Sequence, residues 1–96
     1  MKKENETYKF IKFVKSDKAG KKYTAILKNK NTGGEKRVHF GDSTLPQYRD
    51  STGVGAWSHK DTNDKERRRL YHLRHKGEGD PSNFPNPGFW SSNFLW

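Results

Sequence analysis

The side chains able to do bond-making chemistry are few. The chain has four histidines, His39, His59, His72 and His75, and no cysteine. His72 and His75 stand three apart, a spacing that puts two imidazoles on one helix face. His59 with Asp61 or Asp64 offers further ligands, and a metal site takes three or four protein ligands. A small metal-dependent nuclease would use such a cluster beside a ββα frame, but the spacing of the His-Asn-His type is not evident. Each histidine also has a structural use. His59 lies near a helix start, and His75 lies at a helix C-terminus, where a cation suits the dipole. The carboxylates Asp42, Asp50, Asp61 and Asp64 have local uses in turns, beside Arg49 and at a helix start. Without cysteine there is neither a thiolate nucleophile nor a Cys-type zinc site. Gly53-Val54-Gly55 has neither Walker A nor GxGxxG spacing. The expectation is a non-enzymatic protein with no catalytic residue, metal, cofactor or small-molecule substrate. The nuclease ranks last among the readings.

Charge is the stronger signal. Twenty Lys+Arg against eleven Asp+Glu give +9. Residues 1–41 hold +8 of this, 42–60 are neutral, 61–77 hold +3 and 78–96 hold −2. Lys9, Lys12, Lys15, Lys36 and Arg37 fall on expected strands; Arg67, Arg68, Arg69, Arg74 and Lys76 fall on or beside an expected helix. Clustered cations of this kind are the footprint of nucleic-acid binding. Each neutralised phosphate releases counterions, which supplies affinity without sequence preference. Guanidinium forks suit phosphate oxygens. The residues assigned to phosphate contact are Lys36, Arg37, Lys60, Arg67, Arg68, Arg69, Arg74 and Lys76. No helix-turn-helix, zinc-finger or RNP signature supports base-specific readout. A solvated surface or an interface with an acidic protein is the plainer use of the same charges.

Aromatic residues are the second concentration. Five of thirteen fall in the last nineteen residues: Phe84, Phe89, Trp90, Phe94 and Trp96. Left in solvent they would be an aggregation liability. Two readings stay open. The tail completes a core short of apolar residues, or Phe89, Trp90, Phe94 and Trp96 dock on a partner. The tail's negative charge disfavours base stacking.

Ninety-six residues indicate one domain. Only 28% are hydrophobic, which is low for a globular chain, and no stretch approaches the roughly 20 apolar residues of a membrane span. The start, MKKENETYKF, lacks the apolar region of a secretory signal. Residues 1–6 are expected to be a flexible N-terminus. The patterns at 7–15, 22–29 and 35–40 predict three strands of an antiparallel meander within 7–41. Tyr8, Phe10 and Val14 are expected on one face of the first strand, with Ile11 and Phe13 on the other. Residues 42–60 form a long ordered loop, pinned by Leu45, Tyr48, Val54 and Trp57. Residues 61–77 predict a basic helix, capped by Asp61 and stopped by Gly77, with Leu70, Leu73 and Tyr71 packed on the sheet. The tail, 78–96, is rich in Pro and Gly and is expected to be irregular. The architecture is α+β: a three-stranded antiparallel sheet, one basic helix on it and an aromatic tail.

Three stretches resemble a small basic family of unknown function encoded by large double-stranded DNA viruses and some phages: KKYTAILKNKNTGGEKRVHFGD (21–42), QYRDSTGVGAWSHKDTNDKERRRLYHLRHKGE (47–78) and NPGFWSSNFLW (86–96). The most specific pieces are His-Phe-Gly (39–41), Ser-His-Lys-Asp (58–61), Tyr-x-x-Arg-His (71–75) and the closing Phe-Trp…Leu-Trp. The resemblance implies a viral setting, in host cytoplasm or virion, and an aromatic C-terminus that is part of the design. It brings no catalytic assignment. Two functions follow as expectations. The first is a non-enzymatic viral protein that binds nucleic acid through phosphates. The second is a minor capsid-associated protein that bridges larger capsid proteins with its tail and basic surface.

Overall fold

The computed structural model describes residues 5–96, with Pro81 described by its backbone alone. Three strands, β1 (Tyr8–Lys15), β2 (Lys21–Asn29) and β3 (Glu35–Asp42), form an antiparallel meander in the order β1-β2-β3. Two helices follow, α1 (Lys65–Arg74) and α2 (Pro87–Phe94). The α+β class is as the sequence implies. Residues 1–4 of the expected flexible N-terminus lie outside the described residues. The Asn5 side-chain carbonyl accepts from the Thr7 and Tyr8 amides at 2.9 and 2.6 Å.

The strands pair as their turns dictate. Between β2 and β3, the Asn29 side chain accepts from Asn31 and Thr32 N–H, and Gly33 takes φ +75°, a geometry that glycine adopts without strain. One departure changes the inner face. The β1–β2 register shifts between Phe10 and Lys12, so Ile11 is the extra residue of a bulge. Beyond a bulge the alternation inverts. Phe13 therefore joins Tyr8 and Phe10 toward the core, its ring 4.6 Å from that of Phe10, and Ile11 is left exposed. Strict alternation across β1 assigned Phe13 to the opposite face.

Tyr23, Ala25 and Leu27 of β2 and Val38 and Phe40 of β3 meet Phe84, Phe89, Trp90, Phe94 and Leu95 in one core. The Trp90 ring is fully buried, with Phe10, Phe13, Phe40, Phe84, Phe89 and Phe94 within 4.9–6.4 Å and its Nε1 donating to Phe84 O at 2.8 Å. Large rings supply the area that a low apolar fraction would otherwise lack. Gly41, at φ +80°, lets the tail close: a Cβ there would lie 2.8 Å from Leu95 Cδ1.

Two parts of the expected layout change. The tail is not irregular throughout, because Pro87 sits at the first turn of α2, where its fixed φ favours a helix start. The helix that covers the sheet is α2, not the basic one. Helix α1 buries no residue, and Leu70 and Leu73 remain exposed. The helix also runs shorter than 61–77, with Asp64 rather than Asp61 as its N-cap and His75 as its C-cap.

Candidate nucleic-acid interface

Helix α1 is built by local signals. The Asp64 carboxylate accepts from Glu66 and Arg67 N–H at 3.0 and 3.1 Å, satisfying two orphan amides of the first turn. Arg69 forks onto Glu66 at 2.6 and 3.1 Å, and this pairing holds the Glu66 carboxyl below and the Arg69 guanidinium above their ordinary pKa values. A ten-residue helix is marginal by itself, and the attachment to the body comes from the C-terminus. Tyr71 stacks with Trp96 at 4.6 Å and with His75 at 4.3 Å. Arg68 Nε donates to Trp96 O at 2.9 Å, and its guanidinium lies 4.7 Å from the Tyr48 ring centroid. Burial raises the Tyr71 phenol above its ordinary pKa.

The eight residues assigned to phosphate contact do not form one group. Arg67, Arg69, Arg74 and Lys76 are exposed on or beside α1, whereas Arg68 is committed to Trp96 and Tyr48. Arg37 lies on the polar face of the sheet, paired with Glu35 at 2.9 Å. In register it stands across Ile26 from Lys12. Lys36 projects to the other side, over the Tyr8 ring at 5.9 Å. Lys60 is half-buried and its charge is felt at Lys22. Of the docking residues, Phe89, Trp90 and Phe94 lie in this chain's own core, and Trp96 is half-buried against Tyr71. Burial takes Phe89, Trp90 and Phe94 out of the docking assignment, and Trp96 keeps partial exposure. Phe89, Trp90 and Phe94, with Phe84 and Leu95, close the apolar face of the sheet, so core completion takes them.

Helix α1 also borders a cavity of about 500 Å³. Its lining takes Arg67, Leu70, Tyr71, Arg74 and His75 from one face of α1, together with Lys21, Lys22 and Leu95 from elsewhere in the chain. His75 Nδ1 contacts the Glu78 carboxylate, and both residues line the cavity.

A second polar cluster was not legible in the sequence. The Lys22 side chain is 2% exposed, and its ammonium donates to Leu45 O and Gln47 Oε1, both at 2.7 Å. Desolvation, assisted by Lys60, lowers its pKa to about 8. Fully buried Gln47 donates to Trp57 O at 3.0 Å and Asp61 Oδ1 at 2.7 Å. Asp61 Oδ1 also accepts from Asp50 N–H at 2.8 Å. The Tyr23 hydroxyl donates to the Asp50 carboxylate and accepts from Trp57 N–H. Its pKa is pushed up to about 12 by burial and then by that bond to Asp50. This network fastens the long loop. Leu45 and Val54, expected to pin it, are exposed, while Trp57 does pack against the core. The only available hint was a polar Gln amid loop residues.

Among the described residues, no three His, Asp or Glu side chains gather as a metal site. His39 bonds Ser16 and Thr24, and His59 lies beside Trp57. His72 meets the edge of Tyr71. Asp61 and Asp64 are occupied with Gln47 and the helix start. No helix among the described residues is long and apolar enough to cross a membrane. Comparisons with family models, with curated proteins and with solved structures find no match to this chain.

Proposed function

We propose that this chain is a small non-enzymatic viral protein that binds nucleic acid through phosphate contacts, with α1 as the main contact element. The observation that carries the reading is the helix itself. It presents Lys65, Arg67, Arg69 and Arg74 to solvent, buries none of its ten residues and is held to the body by its Tyr71 and Arg68 side chains. Cations presented this way can approach phosphates without disturbing the core. The polar sheet face, with Lys12 and Arg37 flanking Ile26, supplies a second set of contacts. The capsid-bridging alternative draws on the same charges, but Phe89, Trp90 and Phe94 are spent in the core, so a bridge would rest on basic surface and the partly exposed Trp96. The viral setting, in host cytoplasm or virion, rests on the three-stretch resemblance.

The test is anisotropy of labelled single- and double-stranded oligonucleotides at about 50 and 200 mM salt. Affinity falling about 10³-fold or more across that range, as 6–10 phosphate contacts require, supports the reading. No binding at the lower salt contradicts it.

A further inference from the structure

Residues 67, 70, 71, 74 and 75 recur at the i, i+3, i+4, i+7, i+8 spacing of the stripe that a surface helix turns inward. Such a stripe is ordinarily apolar. Here it reads Arg67, Leu70, Tyr71, Arg74, His75, and it forms one wall of the 500 Å³ cavity. That volume falls within the range of small-ligand sites. Arg67 and Arg74 are seven residues apart, about 10 Å along the axis, with Tyr71 between them. The lining holds four basic side chains, Lys21, Lys22, Arg67 and Arg74, all cationic in the main at pH 7, against two carboxylates, Asp42 and Glu78. The surplus is two positive charges.

The partners of these groups narrow the ligand. Glu78 is taken by His75, and Asp42 Oδ1 accepts from the Thr44 amide and hydroxyl at 2.9 and 2.7 Å. Lys22 is held by Leu45 O and Gln47, and Arg67 stands 3.7 Å from Asp64. Arg74 has no ion-pair partner among the described residues. The remainder of the lining includes apolar surface from Leu45, Leu70, Leu95 and Trp96. The matching ligand has a compact double negative charge and a flat, largely apolar ring. A phosphomonoester carries about −1.5 to −2 at pH 7, whereas a phosphodiester inside a strand carries a single charge.

We propose that this cavity binds a nucleotide through its terminal phosphate, with Arg74 and Lys21 on the phosphate and the apolar wall on the base or sugar. The strand-end form of this site rests on the nucleic-acid reading above; a free nucleotide would use the same chemistry.

Three probes against the full chain separate the cases. They are single-stranded 12-mers with a 5′-phosphate, the same strand with a 5′-hydroxyl, and a nucleoside monophosphate alone, the last followed by calorimetry. Preference for the phosphorylated strand by about tenfold or more, the size of charge-assisted hydrogen bonds, assigns the site to strand ends. Saturable nucleoside monophosphate binding without strand preference assigns it to free nucleotides. In either case Arg74→Gln and Lys21→Gln should abolish the effect. Arg37→Gln, on the polar sheet face, should lower overall strand affinity and keep the preference. Equal affinity for both strands with no monophosphate binding overturns the inference and leaves the nucleic-acid reading intact. Failure of both strands to bind at low salt overturns that reading, and the monophosphate arm still judges the cavity. An acidic peptide that binds with sensitivity to Arg74→Gln, where no phosphate probe binds, also overturns it.

Discussion

Helix α2 takes Phe89, Trp90, Ser92 and Phe94 out of solvent, whereas the longer α1 takes no residue fully out. The first is a lid on the sheet. The second hangs from the body by a Trp96–Tyr71–His75 stack and an Arg68 contact to the Trp96 backbone oxygen. Their sequences explain the division. Helix α2 carries no charged residue, so every ring can be buried without desolvating a charge. Helix α1 carries five cations, and burying any of them unpaired would cost several kcal/mol. In a chain this short of apolar residues, the core takes the aromatic helix and the charged one is left for solvent or a ligand.

The largest test of that division is at Trp90. Trp90→Ala removes a ring buried on every side, and losses of about 3–5 kcal/mol are usual for such changes. This is a large part of the about 5–15 kcal/mol available to a domain. Urea unfolding followed by circular dichroism should show a midpoint lowered by the equivalent of about 3–5 kcal/mol, the largest shift of any single change here.

Next comes the polar fastening of the loop. Gln47→Leu keeps much of the volume but deprives the buried Lys22 ammonium of one of its two acceptors. A cost of about 1–3 kcal/mol follows from leaving such a group underbonded, read as a lower urea midpoint.

The same cluster sets a pH dependence. Lys22 titrates near 8 when folded and near 10.5 when unfolded. Between those values the unfolded chain holds more protons, so stability rises with pH. Tyr23 titrates near 12 when folded and near 10 when unfolded, so stability falls across that interval. Urea midpoints should climb from pH 8 to about 10 and decline above it. Lys22→Met should remove the climb and keep the decline.

A smaller effect separates α1 from the body. Tyr71→Ala removes the one ring contact that ties α1 to the body, the stack on Trp96, worth about 0.5–1.5 kcal/mol. Amides of 65–74 should exchange faster by NMR while those of β2 keep their protection. Leu73→Ala, at a side chain 61% exposed, should change the midpoint by no more than about 0.5 kcal/mol.

These contrasts also mark what the chain reveals before folding. The meander was legible because alternation and Gly-rich turns are local. Asp64 three residues into the expected helix was legible as part of a capping pattern, although the cap itself sits there and not at Asp61. The bulge at Ile11 was not, because nothing local says that a strand will gain one residue against its neighbour. The exchange of helices was hidden for a related reason. Leu70 and Leu73 have the spacing of a buried stripe, yet Phe89, Trp90 and Phe94 occupy the sheet's apolar face and the two leucines stay exposed. Arg67 and Arg74 were readable as phosphate-binding candidates from charge alone. That they share a cavity with Lys21 and Lys22, some 45 residues earlier, depends on tertiary closure.

The central claim is that α1 is a phosphate-contacting arm separable from the core. The most direct measurement is the slope of log K against log salt for a single-stranded oligonucleotide. It should be taken for the natural chain and for the triple variant Arg67→Gln, Arg74→Gln, Lys76→Gln. The account predicts a slope smaller in magnitude by roughly 2, at about 0.7 per lost single-strand contact, with an unchanged urea midpoint. An unchanged slope would place the phosphate contacts elsewhere, and a collapsed midpoint would show that the arm is part of the core; either contradicts the account.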